Sequence, residues 1–221
     1  MPLDPTVFPN RSALIAPALE EQLSQLFGKL TAPVEFTCLT GSEEKSGEMA
    51  AFLNHLTALS PLLSCRFLSP GEDAALDSAL DSALLPATSV SRPGELPRMV
   101  FHGVPGGKEI NALAAAILLA GGTAKSLDKP TLKDIAKIKK PMKLQVCVSL
   151  GCQHCAQLVS YAHRVAWENP LVTAHMIDAN LYPQLVQDYG IQRVPLTVID
   201  GRTSFPGGKT MAELTTLLAK Y

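Results

Sequence analysis

Two cysteines spaced C-x-x-C, Cys152 and Cys155, are the residues of this chain best suited to chemistry. They follow the alternating apolar run Leu144-Gln-Val-Cys-Val-Ser-Leu150, which Gly151 ends. Leu144, Val146, Val148 and Leu150 share one face at period two, which predicts a strand. Beyond the break, Leu158, Val159, Ala162, Val165 and Ala166 recur at helical spacing, so Cys152 is expected at a helix N-terminus with Cys155 in the first turn. Free N–H groups and the dipole at a helix start stabilise an anion, and a thiol there is partly thiolate near neutrality. The thiolate is the nucleophile. A second thiol one turn on can attack the mixed disulfide formed by the first and release the product. Cys152 is therefore expected to attack and Cys155 to resolve. Gln153 and His154, enclosed by the pair, are the candidates for tuning it. A charged or hydrogen-bonding His154 would stabilise the reduced form and make the couple more oxidising, whereas a solvated loop histidine would not.

The elements that must hold this pair are read in chain order. Leu14, Leu19, Leu23, Leu26, Phe27 and Leu30 predict a first helix, Val34–Leu39 a strand, Glu43–Leu59 a helix and Leu62–Leu68 a second strand. The acidic, small-residue segment Ser69–Pro86 is read as a short polar helix. Ala87–Ser91 and Leu96–Phe101, joined through Arg92-Pro-Gly-Glu95, predict a hairpin. Ile110–Ala120 is too short an apolar stretch to span a bilayer and is read as a buried helix. The second half repeats this order: helix Pro130–Ile138, the Leu144 strand, the C-x-x-C helix to Trp167, strand Val172–Ile177, helix Tyr182–Tyr189, a hairpin about Asp200-Gly201, and helix Thr210–Leu218. Pro206-Gly-Gly-Lys209 copies Pro105-Gly-Gly-Lys108 between the last strand and the last helix of each half, which argues for duplication. The boundary is expected within Gly121–Lys129, giving domains 1–124 and 125–221.

Composition sets the outer limits. With 221 residues, 47% of them hydrophobic and 18% charged, there is enough chain for two small domains. A formal net charge of -1 gives no electrostatic footprint for nucleic acid or an anionic membrane. The amino terminus carries prolines and an acid where a secretory signal needs a basic and then an apolar segment, so a cytoplasmic location is expected. Five cysteines, with only one close pair, do not suggest a secreted disulfide framework.

The motifs together resemble a tandem pair of thioredoxin folds of the glutaredoxin-like protein disulfide oxidoreductases, and most closely the N-terminal domain of the alkyl hydroperoxide reductase flavoprotein. The residues that carry the resemblance are Ser149-Leu-Gly-Cys-Gln-His-Cys155, Asn169-Pro170, Ile177-Asp178, Gly190-Ile-Gln-Arg-Val-Pro195, Val198-Ile-Asp-Gly201 and Gly207-Gly208. It implies an α/β fold of two thioredoxin-like domains, each a central mixed β-sheet flanked by helices. It also implies a cis peptide bond before Pro195, with Val194 offering its backbone to a partner's extended segment. The first half looks like the family's redox-silent copy: Thr40-Gly-Ser-Glu-Glu-Lys45 stands where a C-x-x-C would be, Pro86 takes the place of the cis proline more weakly, and Cys38 and Cys65 read as core residues.

The resemblance implies a thioredoxin-reductase-like flavoprotein as electron donor and a peroxiredoxin or other disulfide protein as acceptor. No cofactor beyond the Cys152–Cys155 couple is expected. Thioredoxin's buried acid in the strand before its cysteines has no counterpart in Leu144–Leu150, which leaves water or His154 to move the resolving thiol's proton. Gly207-Gly208 resembles the glycines by which glutaredoxins approach glutathione, but Lys209-Thr210 replaces the acidic end of that pattern.

Two rival readings come from other classes. Cys147-x4-Cys152-x2-Cys155 matches three ligands of an iron–sulfur spacing, and His154 could join a zinc site, but no fourth cysteine follows and Cys147 points to the opposite face of its strand. A non-catalytic interaction module is the other, with the silent half as a docking surface. His163 and His175 lack neighbouring ligands and read as surface or hydrogen-bonded residues.

Overall fold

The computed structural model describes residues 8–42 and 44–221. The first seven residues, on which the reading of the amino terminus rests, lie outside them, as does Glu43. In the first half, α1 (Pro17–Phe27), β1 (Val34–Leu39), α2 (Glu44–Thr57), β2 (Leu63–Leu68), α3 (Ala74–Leu80), β3 (Ala87–Ser91), β4 (Met99–His102) and α4 (Ile110–Ala120) follow in the expected order. The second half supplies α5 (Lys129–Ile135), β5 (Met142–Val148), α6 (Cys155–Glu168), β6 (Val172–Asp178), α7 (Pro183–Asp188), β7 (Leu196–Ile199), β8 (Thr203–Pro206) and α8 (Met211–Leu218). β4 begins later than the alternation suggested, because Leu96 stands out in solvent at 70% exposure instead of facing the core.

The two halves share one sheet. Its order is β2-β1-β3-β4-β6-β5-β7-β8, so the second–first–third–fourth order of one half is repeated by the other. The join is a parallel pairing of β4 with β6, from Met99 opposite Ala174 to His102 opposite Ile177. Two sheets that each left a hydrophobic edge exposed would offer unpaired N–H and C=O groups to other chains; pairing edge to edge satisfies them. β1, β2, β4, β5, β6 and β8 run in one direction, and β3 and β7 run against them.

Helices cover both faces. On one, α1, α2, α4, α6 and α8 bury Phe27, Met49, Phe52, Leu113, Ile117, Val159, Val165 and Leu214 against Phe36, Phe101, Leu144, Val146 and Met176 of the sheet. α3 and α7 cover the other, over Leu39, Val100, Cys147, Ile177 and Val198. α4 is apolar nearly all round because it packs against both the sheet and its neighbour α6, as a helix without a polar face must. α3, read as polar, buries Leu76 and Leu80 and is capped by the Asp73 carboxylate, which accepts from the N–H groups of Ala75 and Leu76. Among the described residues, no helix is long and apolar enough to cross a membrane.

Cys38 is fully buried and Cys65 half-buried, and desolvation pushes both thiols far up. His175 is not a surface residue: its Nδ1 lies 2.9 Å from His102 Nε2, across the β4–β6 join. His163 is also buried, with Nε2 3.3 Å from the Val100 carbonyl.

Candidate active site

β5 ends at Val148 and α6 starts at Cys155; the six residues between them, with Cys155 itself, form the site. Cys152 and Cys155 are joined by a disulfide, with Cα atoms 5.5 Å apart. α6 begins one turn later than the periodicity suggested. The N–H of Cys152 donates to the Ser149 carbonyl at 2.8 Å, closing a turn of its own before the helix starts. Cys155 is thus the first helical residue, and Cys152 sits just ahead of the unpaired N–H groups of the helix start. The two sulfurs differ in access: Cys152 is half-buried, and Cys155 is 0% exposed.

β7 pairs antiparallel with β5, with Leu196 opposite Cys147, so Pro195 falls beside the end of β5 where the disulfide loop begins. The Val194–Pro195 bond is cis, and so is Leu85–Pro86 in the other half. The Pro195 carbonyl accepts from Gly207 N–H at 2.9 Å, and Val194 is half-buried. Because β1, β4, β5 and β6 are parallel, both β–α loops and both cis prolines lie along the same edge of the sheet.

Gln153 and His154 are exposed. His154 occupies the N-cap position of α6 without making a side-chain cap bond. It lines a cavity of about 240 Å³ with Gln157, Leu158, Tyr161, Gly208, Lys209, Thr210 and Glu213. The Lys209 ammonium is turned back onto the carbonyls of Phe205, Pro206 and Gly207.

Cys147 stands apart from the pair. It packs with Ile177, Leu196 and Val198 on the opposite face of the sheet, and burial pushes its thiol up to about 12. Among the described residues, no group of three or more His, Cys, Asp or Glu side chains is arranged to hold a metal ion.

One residue was not anticipated. Pro105-Gly-Gly-Lys108 of the first half is folded against the disulfide loop: Lys108 N–H donates to the Leu150 carbonyl at 3.1 Å, and a Cβ on Gly107 would lie 2.7 Å from that oxygen. Gly107 also has φ +55°, so only glycine fits this approach without strain. The 3-10 turn Gly107–Glu109 packs against α6 and carries Glu109 into the interior, where it is 0% exposed and neither carboxylate oxygen has a hydrogen-bond partner. Desolvation, with a smaller push from the negative charge of Asp178, raises its carboxyl to about 8. The turn that carries this buried acid thus meets the disulfide loop from the other half of the molecule. The signal was in the sequence: Glu109 is the only acid between Glu95 and Asp128, and it precedes an apolar helix where the second copy has Thr210, a helix cap. A capping role would have been the natural reading of Glu109 too, yet its side chain makes no cap bond.

A disulfide at a strand-to-helix junction, one sulfur open and the other sealed, beside a cis proline on a thioredoxin-type sheet, defines a thiol–disulfide oxidoreductase. The thioredoxin domain family model matches residues 142–219. The crystal structure of the NTD_N/C domain of alkyl hydroperoxide reductase AhpF from Enterococcus faecalis superposes with a TM-score of 0.86 at 31% identity, covering 92% of this chain and 99% of that one. The chain belongs to the family of the AhpF N-terminal domain. It is 30% identical over 200 residues to the alkyl hydroperoxide reductase AhpF protein of Staphylococcus epidermidis, and covers 37% of that protein's length. A protein disulfide oxidoreductase from Aeropyrum pernix has the same fold, with a TM-score of 0.80 at 20% identity.

Proposed function

We propose that this chain relays electron pairs between two proteins through Cys152 and Cys155. The donor is a thioredoxin-reductase-like flavoprotein, and the acceptor is a peroxiredoxin or another disulfide protein, in the cytoplasm. The observation that carries the reading is the asymmetry of the pair: Cys152 is reachable, while Cys155 is sealed behind it. A donor thiolate attacks the Cys152 sulfur and Cys155 leaves as a thiolate, which takes the proton of Glu109. The donor's second thiolate then displaces Cys152. In the second half-reaction the Cys152 thiolate, favoured by the N–H groups at the start of α6, attacks the acceptor disulfide. The Glu109 carboxylate removes the proton from Cys155, whose sulfur attacks Cys152, restores the disulfide and releases the reduced acceptor.

Val194 and Pro195 hold the partner's extended segment, and the exposed Gln153 and His154 set the potential. Residues 1–124 form the silent domain, which lends Glu109 and the Gly107 contact, and residues 125–221 form the redox domain. Cys155→Ser should trap a mixed disulfide between Cys152 and either partner. Trapping through Cys155 in a Cys152→Ser variant would reverse the roles, and no trapping in either would refute the relay. A redox titration with mass mapping should place one two-electron couple on this pair at roughly -200 to -300 mV, the range of cytosolic carriers.

A further inference from the structure

We infer that Lys108 and Arg193 form a cationic rim on either side of the Cys152 loop, and that this rim selects partner segments with an acidic residue on each side of their reacting cysteine. The inference rests on the relay reading, since it concerns the proteins that exchange disulfides with Cys152. Lys108 comes from the first half of the molecule. Its N–H donates to the Leu150 carbonyl at 3.1 Å, which fixes its backbone against the loop two residues before Cys152. Arg193 comes from the second half. It stands two residues before Pro195, whose neighbour Leu196 pairs with Cys147 in β5. The sheet order puts β4, which leads toward Lys108, on one side of β5, and β7, which follows Arg193, on the other.

Both side chains are exposed, and among the described residues neither makes an ion pair or a side-chain hydrogen bond. Other surface cations differ: Arg11, Lys45 and Lys137 each lie against a carboxylate. A cation left unpaired at a docking site favours the opposite charge in whatever docks there and repels its own. The loops around the disulfide offer nothing to offset the two charges. Residues 103–108, 149–154 and 190–195 include no Asp or Glu, in a chain whose formal net charge is -1. Asp178, at the end of β6, is 4% exposed and accepts from Asn180, and Glu109 is buried, so neither meets an incoming chain at the surface. Glu213 lies beyond His154, in the cavity it shares with Lys209, so that side carries both signs.

Between the two cations the floor is apolar: Leu150, Cys152 and Val194 are half-buried. β4 and β7 are three strand spacings apart, roughly 14 Å, which is the length of about four residues of extended chain. A cysteine at the centre of such a segment therefore meets Cys152 with its acids about two residues to either side.

The test uses the full chain, reduced beforehand, and disulfide-linked dimers of a capped heptapeptide, Ala-Asp-Ala-Cys-Ala-Asp-Ala, with serine and lysine versions in place of aspartate. Cys152 attacks the dimer and one peptide thiol leaves; Cys155 then attacks Cys152 and the second peptide thiol leaves. Protein oxidation is followed by alkylation and mass. Each peptide's rate with a small neutral dithiol is divided out, which removes the effect of its charges on its own disulfide. At low salt the acidic dimer should react about tenfold faster than the serine dimer and the lysine dimer more slowly, and high salt should shrink both differences. Lys108→Ser and Arg193→Ser should each reduce the preference and together remove it, and the paired change to glutamate should turn it toward lysine. Ratios are taken within one variant, so a general change in reactivity cancels. Equal rates for the three dimers, or a preference that survives the double serine variant, would overturn the rim while turnover of the serine dimer leaves the relay standing. A reduced chain that none of the dimers oxidises would overturn both.

Discussion

Replacing Glu109 with glutamine should stabilise the protein at alkaline pH while slowing its reaction. In the folded chain the Glu109 carboxyl is raised from 4.5 to about 8 by desolvation and, secondarily, by Asp178. The raised value means that the folded state holds a proton the unfolded chain has lost. Its contribution is therefore neutral below about pH 4.5 and increasingly unfavourable as pH rises toward 8. A tenfold difference in proton affinity between the two states corresponds to about 1.4 kcal/mol, so between pH 5 and pH 8 this one group removes about 3 to 4 kcal/mol of stability. Glutamine cannot titrate and should abolish that slope. Its buried amide donors add a constant penalty of about 1–3 kcal/mol, which makes the slope the informative quantity and not the offset. Urea unfolding of both oxidised proteins at pH 5, 6, 7 and 8, with equal m-values as the control for two-state behaviour, reads the difference directly. The variant's stability relative to the unaltered protein should climb by the stated amount across the series. Its disulfide should also be reduced more slowly at pH 6–7, by on the order of 100-fold, the low end for loss of a general acid. Parallel stability curves for the two proteins would refute the buried-acid reasoning.

Acid should act on the histidines in the opposite sense. His102 and His163 are each lowered to about 4, chiefly by burial, so their stabilising contribution is complete above about pH 6.5 and is lost as pH falls toward 4. From pH 7 to pH 5 this costs about 2 kcal/mol for each, and His175, also lowered by burial, adds in the same direction. Unfolding of Glu109→Gln over that range, where the carboxyl no longer contributes, should show the loss; a flat curve would be inconsistent with neutral buried imidazoles. Gly107→Ala should destabilise by at least about 1–2 kcal/mol from its positive φ alone, and more from the contact with the Leu150 carbonyl. Gly151→Ala, nearer to Cys152 in the chain but facing open space, should change stability by less than about 1 kcal/mol. Thermal melts of the two variants decide it, and equal effects would mean that the Gly107 approach does not constrain the disulfide loop.

The order of elements, the duplication and the reactive pair were legible in the sequence because each is written locally. Period-two alternation in Leu144–Val148, helical spacing after Cys155 and the paired Pro-Gly-Gly-Lys motifs need only near neighbours to be read. Boundaries slipped in two places: tertiary packing left Leu96 in solvent, and the Cys152 N–H closes a turn onto the Ser149 carbonyl ahead of α6, which begins at Cys155.

What the sequence could not express is adjacency between residues far apart in the chain. Nothing local distinguishes Glu109 from a surface cap, or His175 from an exposed histidine on a strand. Pairing β4 with β6 decides both. It merges the halves into one sheet, brings His102 to His175, and folds the first half's Gly107–Glu109 turn against the disulfide loop. Thus the sequence alone determined which two cysteines are paired, Cys152 and Cys155. The tertiary structure decided which sulfur is sealed and which acid is buried, since desolvation exists only once distant segments are packed together.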